Sequence, residues 1–291
     1  MKSTEQTNEW FVDLHLHTTA SDGTYTPKEI VEIASNLELK AIAITDHDTV
    51  SGAANALDAA TNFDIDVIPG IEFSTEINNE SIHIVGLYVD YRNRELIKLT
   101  ADILNARENR AKKIIELLDE LLPDKQITFS EVSELADGLI GRPHIAEILI
   151  RKGVVQTINE AFDKYLRRNG PAYVPRFKLT PNEAVAFLHK IKAIPILAHP
   201  GYISSKETLD QLLQDLVPAG LKGIEVYYPT HSEQDIRRFK QIAQIHDLLE
   251  SGGSDCHGER SNGPFIGSLN VPYSVYKKIK DYYNINKRWR S

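Results

Sequence analysis

Short apolar runs alternate with amphipathic helical stretches in two parts of this chain, and that alternation restricts the fold more than any other feature. WFVDLHLH, residues 10–17, reads as a buried strand through Phe11, Val12, Leu14 and Leu16. TPKEIVEIASNLEL then opens as a helix, with Thr26 as cap, Pro27 at the first helical position and Glu29 completing a capping box. Ile30, Val31, Ala34 and Leu37 fall on one stripe of it. KAIAITDHD, IDVIPGIEFS and SIHIVGLYVD read as further strands, with SGAANALDAATN as a short helix among them. The pattern resumes at TPNEAVAFLHKI, where Thr180, Pro181 and Glu183 repeat the same helix start, and runs through AIPILAHP, GIEVYYP and LLESGGSDCHG as strand ends. Strands separated by helices predict right-handed βαβ units and a parallel sheet or barrel.

Between these stretches the pattern is helical. RELIKLTADILNARENRAKKIIELLDELLP predicts a long amphipathic helix stopped by Pro123, followed by shorter ones in SEVSELAD, RPHIAEILIRKG and TINEAFDKYLRR, and the next strand signal is PAYVPRF. The expected organisation is an α/β barrel domain of residues 1–97 and 181–291, interrupted by a helical insertion over residues 98–180.

A chain of 291 residues buries enough surface to fold without disulfides. Its single cysteine, Cys256, excludes an intramolecular disulfide and a thiolate metal cluster, and fits a reducing compartment. The start lacks a signal-peptide core and no apolar run reaches membrane length, so a cytoplasmic protein with no membrane partner is expected. The net charge of −8 argues against a general nucleic-acid coat. From Arg142 to Lys178, however, eight basic residues face three acidic ones, which suits either a solvated helical surface or an anion-facing element.

The chemistry concentrates at the ends of the predicted strands. His15 and His17, two apart on a strand, share a face and point toward its C-terminal end, where parallel βα folds build their sites. Asp22 follows in the next loop, with Gly23 available for the turn. The other strand ends supply Asp46, His47 and Asp48, then Glu72, His83, His199, and finally Asp255 and His257. Any one such histidine is readily explained as a hydrogen-bonded core residue. Six histidines and three carboxylates converging without a counter-ion are not, because unpartnered buried charge is too costly. Divalent cations resolve the conflict, and the number of ligands predicts two or three of them. Imidazole and carboxylate without thiolate suit manganese, with iron or zinc as alternatives, better than copper(I). Paired ions of this kind activate a water and clamp the oxygens of an in-line displacement. They also outweigh the local acids, so a phosphate can bind to an acidic chain.

Some candidates stay outside this set. His189 and His246 lie within predicted helices and read as structural or surface residues, and Cys256 alternates away from its neighbours. His144 has no clear assignment. His231 follows a strand end and suits either a proton donor or a helix-start surface position.

DLHLHTTASDG, AITDHD, PGIEFS, IHIVG, AHP and GSDCHG, in this order, resemble the polymerase and histidinol phosphatase (PHP) superfamily over almost the whole chain. The resemblance implies a distorted (β/α)7 barrel with a trinuclear metal centre, whose ligands would be His15, His17, Asp22, His47, Glu72, His83, His199, Asp255 and His257. GRPHIA, YVPRF and EVYYPTHS further resemble stand-alone bacterial members that remove the 3′-phosphate of 3′,5′-nucleoside bisphosphates, relatives of which degrade short RNA from the 5′ end. In that subgroup the insertion caps the metal site and brings basic residues to the substrate. Arg142 and Arg176 are accordingly expected to contact phosphate, a metal-bridging hydroxide to attack it, and His231 to protonate the leaving group. A nucleotide or short RNA is the implied partner, with no obligate protein partner. The alternatives are a histidinol phosphatase, a non-catalytic metal-bound module and an amidohydrolase. The last would want a metal-bridging lysine, and no lysine ends a predicted strand.

Overall fold

β1 (Phe11–Leu16) is buried along nearly its whole length, as an apolar run inside a layered fold requires. The computed structural model describes residues 10–78, 80–136, 139–259 and 263–288. The chain divides into two compact units, Met1–Ile97 with Leu179–Ser291, and Lys98–Lys178.

In the first unit, α1 (Pro27–Asn36) starts as its sequence dictates. Glu29 N–H donates to Thr26 Oγ1 at 3.2 Å, and Thr26 N–H donates back to the Glu29 carboxylate at 2.7 Å. Such a cap contributes about 1 kcal/mol. Ile30, Val31 and Ala34 pack on Leu16, Ile42 and Ile44, whereas Leu37, expected on the same stripe, is the C-cap and is exposed. β2 (Ala41–Ile44), α2 (Ala53–Ala60) and β3 (Asp66–Ile77) continue the βαβ pattern, with β1, β2 and β3 parallel.

β4 (Glu80–Leu87) breaks the expected all-parallel order. It folds straight back along β3, from Gly70 opposite Leu87 to Ile77 opposite Glu80. The reason is local: the link is too short for a crossover helix, and Asn78 takes the left-handed conformation (φ 49°) that a tight turn uses.

The second unit is built from helices. α3 (Arg94–Leu121) enters it at Lys98 and is followed by α4 (Phe129–Ala136), α5 (Arg142–Arg151) and α6 (Ile158–Ala161), which runs on into a π-helical turn, Phe162–Leu166. Ile114, Leu118, Val132, Ile145, Leu149 and Leu166 share its core. The PAYVPRF segment, predicted as a strand, is irregular. Pro171 and Pro175 remove two of the backbone donors a strand would need.

Back in the first unit, α7 (Pro181–Lys190) leads to β5 (Ile194–Leu197), which pairs antiparallel with β4. α8 (Lys206–Ala219), β6 (Gly223–Tyr227), α9 (Glu233–Ile245) and β7 (Leu249–Gly252) then restore parallel pairing. β8 (Val271–Pro272) lies antiparallel outside β1, and α10 (Tyr273–Arg288) follows it. The sheet order is β7-β6-β5-β4-β3-β2-β1-β8. The sheet closes on itself where His17 N–H donates to the Cys256 carbonyl (3.1 Å) and Asp255 N–H to the His15 carbonyl (2.9 Å). The result is a distorted βα barrel with one main strand reversed. Among the described residues no helix is long and apolar enough to cross a membrane.

Candidate metal centre

Alternation along β1 sends Val12, Leu14 and Leu16 into apolar clusters and leaves Asp13, His15 and His17 on the other face. Asp13 is fully buried and accepts from the Ser254 (2.8 Å) and Gly267 (2.9 Å) amides, tying β1 to the segment after β7. Gly253 is required there: a Cβ on it would lie 2.4 Å from His15 N. His47 follows β2 between two bracing acids. Asp46 accepts from the Thr18 amide (2.7 Å) and the Ser21 hydroxyl (2.7 Å), and Asp48 from the Ser74 amide (3.0 Å). His83 does not end its strand, as the sequence suggested, but is the fourth of the eight residues of β4. Because β4 is reversed, its first half lies beside the ends of the parallel strands. His199 and Asp255 sit just past β5 and β7 with positive φ of 28° and 54°.

Glu72, buried on β3, is the hub. Its Oε2 lies 3.3 Å from His15 Nε2, 3.3 Å from His17 Nε2 and 3.0 Å from His47 Nδ1. Its Oε1 lies 2.8 Å from His83 Nδ1 and 3.1 Å from His199 Nε2. Asp255 Oδ1 adds contacts at 3.0 Å to His17 and 3.5 Å to His15. Asp22 closes the other side, 3.4 Å from His257, 3.7 Å from His17 and 3.8 Å from His47. Three overlapping sets have ligand atoms mutually within 4.8 Å: His17, Asp22, His47 and His257; His15, His17, Glu72 and Asp255; and His47, Glu72 and His83. His199 lies outside these sets but reaches Glu72.

Charge in this cluster is strongly redistributed. Burial alone would push His15 and His17 down, yet the carboxylates outweigh it. Glu225, Glu72 and Asp255 raise His15 well above the ordinary imidazole value, and Asp255 with Glu72 pushes His17 up to about 10. Burial would raise Glu72 and Asp255, but His47 and His15 hold the first well below the usual carboxylate range, and His15 and His17 lower the second. Burial prevails at His83 and His257, which are lowered. His15 Nε2, both ring nitrogens of His17, Glu72 Oε2 and Asp255 Oδ1 are buried without a hydrogen-bond partner among the described residues. Polar atoms in that position normally have partners, and divalent cations fit this nitrogen–oxygen donor set. Cys256 contributes no donor to these sets: its sulfur accepts from the Gly258 amide (3.3 Å).

The remaining candidates are placed differently. His231 is buried with both ring nitrogens in use: Nδ1 lies 3.0 Å from the Val226 carbonyl, and Gly201 N–H donates to Nε2 at 3.2 Å. A carbonyl only accepts, so the ring proton sits on Nδ1 and Nε2 has none to give. In this setting His231 braces the turn after His199 through the Gly201 amide. Arg142 and Arg176 belong to the second unit. Arg142 donates to the Leu166 carbonyl (2.8 Å) and lies over Phe162 and Tyr173, and Arg176 is half-buried in the irregular segment before α7. Arg151, Lys152, Lys164 and Arg167 of the basic stretch pair with Glu147, Glu131, Glu160 and Asp163, as a solvated helical surface does.

Two residues escaped the sequence reading. Glu225 on β6 is buried, with Oε1 2.8 Å from His15 Nδ1 and Oε2 accepting from His199 N–H at 2.7 Å. Tyr228 donates to Asp255 Oδ2 at 2.8 Å. An acid between Ile224 and Val226 in an apolar strand was the available signal for the first.

Residues 13–173 match the PHP domain family. A 3′,5′-nucleoside bisphosphate phosphatase of Chromobacterium violaceum is 31% identical over 88% of this chain and 90% of its own length. The 5′-3′ exoribonuclease Rnm of Escherichia coli is 34% identical over 84% of each chain. A solved Bifidobacterium adolescentis structure, provisionally classed as a metal-dependent phosphoesterase, superposes with a TM-score of 0.75 at 31% identity, covering 93% of this chain and 95% of its own.

Proposed function

The chain belongs to the PHP domain family, and on that premise we propose that it is a metal-dependent phosphoesterase that removes the 3′-phosphate of 3′,5′-nucleoside bisphosphates and acts on short RNA from the 5′ end. The observation that carries this reading is the overlap of three histidine–carboxylate ligand sets, two of them sharing the buried carboxylate of Glu72 and the third joined to them through His17 and His47. His15, His17, Asp22, His47, Glu72, His83, His199, Asp255 and His257 would hold two or three divalent ions, manganese above all. Bound there, the ions would supply the Lewis acidity that activates water and offsets phosphate charge.

The chain's own residues prepare that site. Glu72 aims its two oxygens at different imidazoles and would help to hold the ions. Tyr228 holds Asp255 Oδ2, so that Oδ1 faces His15 and His17. Burial of β1 and of the residues after β7 keeps water from competing with the substrate on that side. Arg142 and Arg176 are the proposed phosphate contacts. A guanidinium has five N–H donors, so the bond from Arg142 to Leu166 leaves others for a phosphate. The nucleotide substrate rests on the two curated relatives, whose names describe action on nucleoside bisphosphates and RNA.

The test is a substrate panel on manganese-loaded protein: adenosine 3′,5′-bisphosphate, 5′-phosphorylated RNA oligomers and histidinol phosphate, with metal analysis of the same preparation. Phosphate release from the bisphosphate, with little from histidinol phosphate, is the expected outcome. Preferential hydrolysis of histidinol phosphate would replace the nucleotide reading, and bound metal without hydrolysis of any phosphoester would point to a non-catalytic module.

A further inference from the structure

Glu225 lies within a strand rather than at a strand end and stands outside the ligand sets. Yet its two carboxylate oxygens serve two residues of the cluster at once. Oε1 faces His15 Nδ1 at 2.8 Å and Oε2 accepts the backbone N–H of His199 at 2.7 Å. These residues come from β1 and from the end of β5, strands that are not neighbours in the sheet. An acid in an otherwise apolar strand is costly to bury, so two donors meeting on it indicate a purpose beyond packing.

We propose that Glu225 is a positioning residue that sets the ring state of His15 and the backbone of His199 together, and so makes the metal ligands of two distant strands assemble as one site. This rests on the reading of the cluster as a metal centre. A carboxylate only accepts, so His15 carries its proton on Nδ1. Nε2 is thereby the ring atom left for a cation, and it faces the space between Glu72 Oε2 (3.3 Å) and Asp255 Oδ1 (3.5 Å). Such an outer carboxylate fixes a ligand's tautomer and raises its basicity. The second oxygen works on backbone. His199 has φ of 28°, a conformation L-residues seldom adopt, and the bond to its amide holds it there with Nε2 3.1 Å from Glu72 Oε1. His231 secures the same turn two residues on, through the Gly201 amide.

The substitution Glu225→Gln separates these effects from packing, because the side chain keeps its shape but has only one acceptor. The His199 amide can only donate and takes the new carbonyl oxygen. The NH2 group is then left against His15 Nδ1, which must accept, and the ring proton moves to Nε2, the atom that faces the cluster. Glu225→Asp keeps two acceptors on a shorter stem.

The experiment is calorimetric titration of manganese into metal-stripped full-length wild type, E225Q and E225D, with thermal melts of each stripped protein. The expected result is a 10–100-fold weaker affinity, or a lost site, in E225Q, with E225D between it and wild type. Wild-type stoichiometry and affinity in folded E225Q would overturn the proposal, as would a lower melting temperature with unchanged affinity, the signature of a purely structural role. If E225Q fails to fold, E225D decides: a several-fold loss of affinity sustains the assignment, and wild-type affinity overturns it. Wild-type protein that takes up no manganese overturns the metal-centre reading itself, a result distinct from normal wild-type binding with insensitive variants.

Discussion

Glu72 Oε1 and His83 Nδ1 lie 2.8 Å apart on adjacent strands that run in opposite directions. Ser74 is the direct partner of His83, so Glu72 and His83 are diagonal neighbours on one face, close enough for long side chains to meet. The reversal of β4 therefore brings a histidine from the first half of a strand to a carboxylate that the parallel strands also address.

Because Glu72 touches five imidazoles, its charge holds the cluster together. Glu72→Gln should remove at least one bound metal equivalent and reduce phosphate release about a thousandfold, the effect of losing several kcal/mol of transition-state charge stabilisation. Elemental analysis and a phosphate assay on the same sample check this. Full metal content with wild-type turnover would refute it.

Stability of the metal-stripped protein should depend on pH in two directions. His15 and His17 have folded values raised above the ordinary 6.5, so their contribution is intact below about pH 6.5 and is lost at higher pH, for His17 as pH rises toward about 10. Glu72 and Asp255 have lowered values, so their contribution is present above the ordinary carboxylate range and is lost as pH falls below it. Metal binding displaces the imidazole protons, so manganese affinity should rise over the same alkaline window in which the stripped protein weakens. Melting curves with chelator and with manganese, taken from about pH 5 to 10, measure both trends. A flat profile for the stripped protein would sink the prediction.

His231 provides a sharper kinetic contrast. As a brace on Gly201, its replacement by Gln should slow turnover by less than about a hundredfold and leave the alkaline limb of the pH–rate profile in place. A general acid would show a loss of about 10²–10⁴ and take that limb with it.

Gly253 tests the closure of the barrel. A Cβ there would come within 2.5 Å of the His15 Cβ, so Gly253→Ala must displace β1 or the segment that follows β7. Destabilisation of about 1–3 kcal/mol, accompanied by reduced metal content, is expected from chemical denaturation and elemental analysis. An unchanged midpoint would show that the backbone approach is looser than these distances imply.

Much of the site was legible because the signals are local. Thr26-Pro27 and Thr180-Pro181 start helices by chemistry confined to a few residues, and both capping boxes form. His15 and His17 share a face because strand geometry repeats every second residue, wherever the strand lies. The Asn78-Asn79 pair between the third and fourth predicted strands was an equally local turn signal, and it marked the hairpin that the parallel reading passed over.

Short-range periodicity and residue chemistry thus set the alternating elements, the helical stretch between them and the imidazoles and carboxylates that are candidate ligands. Only the tertiary structure decided the partners. Glu225 meets His15 across 210 positions and His199 across 26, and His231 became a brace once Val226 and Gly201 took both its nitrogens. No periodicity encodes such pairings, because a buried acid or imidazole in a strand looks the same in the chain whichever donor the closed sheet brings to it.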